Sequence, residues 1–69
     1  MEFSLDGSEF IELKNLLKVS NLCPNGAAAK AVIAEGQVMV DGNVETRKAC
    51  KVTSGQTVTY NGKSVQVVD

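Results

Sequence analysis

The spacing of the apolar residues changes at Gly36, and this change constrains the fold more than any other feature of the sequence. Before Gly36, apolar residues recur every three to four positions, which is typical of helices with one buried face. After Gly36, they alternate with polar residues, which is typical of half-buried strands. Helices and strands in separate parts of a 69-residue chain predict one small α+β domain covering residues 1–69.

Two helices are predicted before Gly36. In the first, residues 9–18, apolar side chains at helical spacing form one stripe that we expect to be buried. Asp6 or Ser8 is the predicted N-cap, because a side-chain oxygen there could accept hydrogen bonds from the first free backbone N–H groups. The stripe consists of Phe10, Leu13, Leu16 and Leu17.

The second predicted helix covers residues 27–35 and is rich in alanine, the best helix former. Asn25 is its predicted N-cap, and Gly36 is placed to adopt the left-handed conformation that commonly ends a helix. The small alanine side chains allow this helix to approach the first one closely. Its buried face is expected to consist of Ala29, Val32 and Ile33.

Short strands are predicted on both sides of the helices. The apolar Phe3 and Leu5 alternate with the polar Glu2 and Ser4, which indicates a short N-terminal strand. Asp41-Gly42 and Asn61-Gly62 are two-residue hairpin signals, so we expect an antiparallel sheet with both helices on one face. The residues expected to face the helices are Val58, Tyr60, Val65 and Val67. The predicted strands after the helices are 38–40, 43–46, 57–60 and 63–68, with 47–51 as a loop or irregular strand.

The composition argues against catalysis, metals and cofactors. The chain has no histidine, which removes the commonest general base and the commonest metal ligand. Cys23 and Cys50 are too few for a four-ligand zinc site, and we expect free thiols in the core or in loops. No apolar run approaches the roughly 20 residues of a membrane span, and residues 1–6 do not resemble a signal peptide. We therefore expect a cytoplasmic binding protein without cofactor or membrane contact.

The net charge of -1 hides an uneven distribution of charged residues. Residues 1–13 contain four acidic and no basic side chains, whereas residues 14–51 contain six basic and three acidic ones. Clustered cations are what contact with nucleic-acid phosphates requires. The predicted phosphate-contacting residues are Arg47, Lys48 and Lys51, with Lys30 and Lys18 from the helices.

Arg47 is the first choice among these residues. It is the only arginine in the chain, and its planar guanidinium can contact a phosphate through two hydrogen bonds. The alternative is a surface pair with Glu45, which would contribute little to stability. Ordinary solubilising roles for all of these cations also remain open.

Aromatic residues are scarce: Phe3, Phe10 and Tyr60, with no tryptophan. Proteins that bind single strands usually stack bases on exposed aromatic rings. Because Phe10 lies on the predicted core stripe and Tyr60 shares the core face of Val58, neither is expected to stack on a base. If the partner is RNA, this pattern favours recognition of its backbone and shape.

Several short segments, taken in order, resemble the S4 RNA-binding domain. The resemblance covers nearly the whole chain, and it is closest to the small stand-alone S4-like proteins of bacteria. The matching segments are Leu16-Leu17-Lys18, Asn25-Gly26-Ala27-Ala28-Ala29-Lys30, Ile33-Ala34-Glu35-Gly36-Gln37-Val38, Val40-Asp41-Gly42, Arg47-Lys48, Lys51-Val52 and Gly55-Gln56-Thr57-Val58.

The resemblance implies an S4-like fold (αL motif), in which two packed helices are followed by a small antiparallel sheet. It also implies a helix-and-loop surface that binds structured RNA. We therefore expect a non-catalytic, monomeric protein, with ribosomal RNA or a ribosome-assembly intermediate as the candidate partner. The alternative is a protein-protein interaction module that keeps this fold without significant RNA affinity. The pI near 5.3 favours the alternative, as do Gly26, Met39 and Ala49, which stand where related proteins can carry a basic residue, whereas the basic middle segment opposes it.

Overall fold

The computed structural model describes residues 1–69, which form two short helices and seven strands. The helices are α1 (Leu13–Val19) and α2 (Gly26–Ala34). The strands are β1 (Glu2–Ser4), β2 (Ile11–Glu12), β3 (Val38–Val40), β4 (Asn43–Val44), β5 (Lys51–Val52), β6 (Thr57–Tyr60) and β7 (Lys63–Val68). No helix is both long enough and apolar enough to cross a membrane.

Five strands form the main sheet in the order β1-β7-β6-β3-β4, and β2 with β5 forms a separate two-stranded ribbon. All neighbouring strands of the main sheet are antiparallel except β1, which pairs parallel with β7. The fully antiparallel sheet predicted from the sequence is therefore wrong at this one edge. Strands joined by a tight turn must run antiparallel, but β1 and β7 lie at opposite ends of the chain and have no such constraint.

Both predicted hairpin turns are present. The two residues of each turn have positive φ angles, 53° and 83° for Asp41-Gly42 and 53° and 77° for Asn61-Gly62. This pair of left-handed conformations matches the right-handed twist of the flanking strands, and glycine adopts the second one without steric strain. The turns fix the register of β3 with β4 and of β6 with β7.

The first helix begins four residues later than predicted. The chain turns at Asp6, where φ is 52° and Leu5 O accepts a hydrogen bond from Ser8 N, so neither Asp6 nor Ser8 caps a helix. Residues 11 and 12 are extended and pair with Lys51–Val52. Pairing with a distant segment thus overrides the local helical spacing of residues 9–12.

The second helix agrees closely with the prediction. The Asn25 side chain accepts a hydrogen bond from Ala28 N at 2.9 Å, which is the expected N-cap. Gly36 follows the helix with φ of 77°, and its N–H donates to Ile33 O. Gln37 N donates to Val32 O, which completes the hydrogen-bond pattern of a Schellman C-cap.

The core lies between the helices and the inner face of the main sheet, and β5 adds Val52 to it. Phe10, predicted to be buried, is exposed because the helix does not extend back to it. Tyr60 and Val32 are half-buried and pack against the core. The buried hydrophobic residues are Leu5, Leu13, Leu16, Leu17, Cys23, Ala29, Ile33, Val38, Val40, Val52, Val58, Val65 and Val67.

Candidate nucleic-acid interface

An open groove of about 750 Å³ lies where α2 meets the segment between β4 and β5. One wall comes from α2, through Lys30 and Ala34, which lie one helical turn apart on the same face. The other wall is the run of residues 46–51, which passes the helix without regular structure until β5 begins. The groove is lined by Lys30, Ala34, Thr46, Arg47, Lys48, Ala49, Cys50 and Lys51.

The basic segment is held in place by the start of α1. Leu13 N donates to Cys50 O at 2.9 Å, and Lys14 N donates to Lys48 O at 3.2 Å. The first N–H groups of a helix have no partner inside the helix and usually need a capping side chain. Here α1 has no side-chain cap, because backbone carbonyls of the basic segment accept these bonds instead. The helix and the groove wall are therefore positioned by the same contacts.

Arg47 is paired with Glu45, as the alternative interpretation of the sequence proposed. Its Nε and Nη2 donate to the two carboxylate oxygens at 2.9 and 3.2 Å, and Arg47 N donates to Oε2 at 3.0 Å. These hydrogen bonds hold the pKa of Glu45 at about 2, below its ordinary value of 4.5. The same pairing raises the pKa of Arg47.

The pair does not remove Arg47 from the groove. A guanidinium has five N–H donors, and the side-chain contacts with Glu45 use two of them. The Arg47 side chain remains 78% exposed, whereas that of Glu45 is only 18% exposed. Arg47 is thus fixed in direction by a mostly covered carboxylate, while its remaining donors stay accessible to a ligand.

Four of the five predicted phosphate-contacting residues line this one groove: Lys30, Arg47, Lys48 and Lys51. All four are exposed. Lys18 is also exposed, but it lies in the last turn of α1 and is not among the lining residues. The structure therefore brings together the cations of α2 and the 47–51 segment and leaves Lys18 outside the group.

The sequence interpretation missed one residue beside the groove, Phe10. It is 37% exposed, and Lys51 Nζ lies 5.0 Å from the centre of its ring. The signal that could have revealed this was Ile11. In a helix over residues 9–18, Ile11 would have faced away from the predicted stripe, whereas in a strand it points opposite to Phe10.

The two cysteines are free thiols, as expected. Cys23 is buried in the core, and burial raises its pKa. Cys50 is half-buried at the groove, and its pKa is raised by burial and then by the neighbouring Glu45 carboxylate. A raised pKa keeps a thiol protonated and weakly nucleophilic at neutral pH. No three Cys, Asp or Glu side chains of residues 1–69 lie together in a group able to hold a metal ion.

Relatives of known sequence resemble this chain along nearly its full length. YbcJ of Escherichia coli strain K12 and YbcJ of Shigella flexneri are each 58% identical to it over 66 residues. In both cases the match covers 96% of this chain and 94% of the relative.

Two solved structures are also similar to this chain in fold. The solution structure of YbcJ from E. coli, described as revealing an αL motif involved in RNA-binding, has a TM-score of 0.77 and 56% identity. The match covers 99% of this chain and 86% of the chain in the YbcJ structure. The 30S ribosomal protein S4e from Thermoplasma acidophilum has a TM-score of 0.59 and 28% identity, over 86% of this chain and 30% of that protein.

The predicted S4-like architecture of two packed helices followed by a largely antiparallel sheet is confirmed by these structures. The family model of the S4 domain matches residues 3–68. This protein therefore belongs to the S4 domain family.

Proposed function

We propose that this protein is a non-catalytic, monomeric module of one domain that binds structured RNA through its basic groove. The observation that carries the proposal is that four of the seven cations in the chain line one groove. Three of them come from a short run of sequence, but Lys30 is contributed by a separate helix. The fold thus concentrates positive charge on one surface of a chain whose net charge is -1.

The shape and chemistry of the groove suit a nucleic-acid backbone. Phosphate contacts supply a large share of the affinity of such proteins, and they need exposed cations on one surface. Lysine ammonium groups on flexible stems can follow a backbone, while Arg47 offers donors in a direction fixed by Glu45. The groove is open, so a double-stranded or folded RNA can approach it without rearrangement of the protein.

The relatives support the same proposal. The E. coli relative carries an αL motif described as involved in RNA-binding, and this chain shares 56% of its sequence in that comparison. The similarity to ribosomal protein S4e favours ribosomal RNA, or a ribosome-assembly intermediate, as the class of partner. The proposed site residues are Lys30, Arg47, Lys48 and Lys51, with Lys18 as an outlying contact.

The proposal is tested by the salt dependence of binding to a ribosomal RNA hairpin. About four neutralised phosphates predict a slope of log K against log salt of roughly -3, from about 0.7–0.9 per phosphate. Affinity should then fall more than about tenfold between about 50 and 150 mM salt. Fluorescence anisotropy of a labelled hairpin measures both quantities.

A matched pair of variants separates a defined groove from diffuse attraction. Lys48→Glu should weaken binding at least about fivefold and reduce the salt slope by about 1. Lys63→Glu makes the same change in net charge, but Lys63 opens β7 and does not line the groove. Equal effects of both variants would contradict a groove site. If the parent protein binds no structured RNA even at low salt, the protein-protein interaction module becomes the better explanation.

A further inference from the structure

Phe10 is an exposed aromatic residue that the hydrophobic core does not use. It does not belong to the hydrophobic core, nor to the half-buried residues packed against it. The next residue in the chain, Ile11, opens β2 and is half-buried, and Val52, which pairs with Ile11, is fully buried. The inner face of the β2–β5 ribbon is thus apolar and covered, while its outer face carries Phe10.

The outer face of the ribbon joins Phe10 to the basic groove. Glu12 pairs with Lys51, and Phe10 directly precedes β2, so continued strand alternation places Phe10 on the face of Glu12 and diagonal to Lys51. Lys51 Nζ lies 5.0 Å from the centre of the Phe10 ring, and Lys51 also lines the groove. The ring therefore lies at the edge of the groove, with an ammonium group over its face.

We propose that Phe10 is a stacking platform for one unpaired base at the edge of the groove, an inference that rests on the proposed RNA-binding function. Cation–π attraction holds the Lys51 ammonium over the ring, and a base has a π face that can stack on the same ring. When a base stacks on the ring, Lys51 moves from the ring to the phosphate of the same nucleotide. The ligand class is then an RNA helix that presents one bulged or flipped-out nucleotide beside a paired backbone.

The neighbouring charges are compatible with this role. The carboxylate on the same face, Glu12, has Lys14 Nζ 3.8 Å from its Oε1, so its charge is partly neutralised. The other two aromatic rings, Phe3 and Tyr60, are half-buried against the core and leave Phe10 as the single platform. A single ring predicts recognition of one base rather than of a continuous single strand.

Two RNA hairpins test the proposal, one fully paired and one identical except for a single bulged adenosine. Stacking on an aromatic ring predicts that Phe10→Leu weakens binding of the bulged hairpin by about 5- to 150-fold. The same variant should leave the affinity for the paired hairpin and the salt slope unchanged. Phe10→Tyr should restore tight binding of the bulged hairpin, because it retains the ring.

A control and a second measurement keep the test decisive. Val44→Ala removes an exposed apolar side chain from β4 and should change neither affinity. In the unmodified protein, the Phe10 ring protons should shift upfield in NMR spectra with the bulged hairpin but not with the paired one. This measurement holds even if Phe10→Leu perturbs folding.

The outcomes distinguish the stacking proposal from the function on which it rests. If Phe10→Leu binds both hairpins as well as the parent does, or the chemical shifts of the ring protons do not change, the stacking role is wrong. The proposed RNA-binding groove is not affected by that result. If Phe10→Leu weakens both hairpins equally, Phe10 supports the ribbon and does not contact a base. If the parent protein binds neither hairpin at low salt, the RNA-binding function itself is wrong.

Discussion

The main sheet and the β2–β5 ribbon are assembled in opposite ways. In the sheet, β3 with β4 and β6 with β7 are joined by two-residue turns, so neighbours in sequence become neighbours in space. The ribbon joins Ile11–Glu12 to Lys51–Val52, which are separated in the chain by both helices and two of the five strands of the main sheet. Local turn chemistry therefore specifies the scaffold, whereas a long-range pairing places the residues beside the groove.

The main sheet and the ribbon also differ in the contacts that stabilise them. The sheet shares a large apolar face with both helices, including fully buried Val58, Val65 and Val67. The ribbon has only two residue pairs and relies on Val52 and on the hydrogen bonds that the start of α1 donates to the basic segment. We therefore expect the ribbon to open locally at a lower free energy than the sheet.

The largest expected effect is on the shared core. Ile33 in α2 is fully buried, and Ile33→Ala should lower the free energy of unfolding by about 2–5 kcal/mol, because it removes buried methyl groups and leaves a cavity. Urea denaturation measures this loss. Val44→Ala, at a residue 60% exposed, should stay within about 0.5 kcal/mol. A loss below about 1 kcal/mol for Ile33→Ala would show that the α2 face is loosely packed.

A smaller and more local effect should separate the ribbon from the sheet. Val52→Thr keeps the side-chain shape but buries a hydroxyl group, which costs about 1–3 kcal/mol when the group finds no partner. Hydrogen exchange should then become faster at the N–H groups of Leu13 and Lys14, which bind the basic segment. The measurement is native-state amide exchange by NMR, under conditions where the protein stays folded.

The matched control for this experiment is Val58→Thr in β6. Val58 is also fully buried, so the chemical change and the expected loss of global stability are similar. Val58→Thr should not selectively accelerate hydrogen exchange at the N–H groups of Leu13 and Lys14. If the two variants accelerate exchange at these groups to the same extent, the ribbon and the sheet unfold as one unit and the contrast between them is wrong.

The parts of the fold that were predicted from sequence are those governed by residues close together in the chain. The Asn25 cap and the Gly36 end of α2 depend on contacts within five residues, and both are present. The start of α1 was predicted too early because it depends on carbonyls of Lys48 and Cys50, which no local pattern reveals. The same long-range contact converts residues 11–12 from helix to strand.

The candidate site follows the same rule. Arg47, Lys48 and Lys51 could be grouped from sequence because they are nearly consecutive. Lys30 and Lys18 were added from the predicted helices, and only Lys30 lines the groove. Phe10 was assigned to the core because its spacing from Leu13 fits a helix. Its place beside Lys51 exists only through the ribbon, so the aromatic part of the site became visible only in three dimensions.

The smallest expected effect concerns Glu45, which lies in the segment that connects the sheet to the ribbon. Its pKa is about 2 in the folded protein, below the ordinary 4.5, because Arg47 donates hydrogen bonds to the carboxylate. A lowered pKa means that the pair stabilises the fold fully above about pH 4.5 and loses this contribution as the pH falls toward 2. Because Arg47 is largely exposed and solvent screens the pair, the contribution is small.

Comparison of the parent protein with Glu45→Gln isolates this contribution from those of the other carboxylates. The difference in melting temperature between the two should be greatest near neutral pH and should vanish near pH 2, where Glu45 is becoming protonated in the parent. Thermal denaturation followed by circular dichroism at several pH values measures it. A difference that stays constant with pH would mean that the Glu45 carboxylate is not held by Arg47 in solution. The connecting segment would then be positioned by backbone hydrogen bonds, those that Leu13 and Lys14 donate to it and the one that Glu45 N donates to Val38 O, and the link between the sheet and the ribbon would be weaker than the structure indicates.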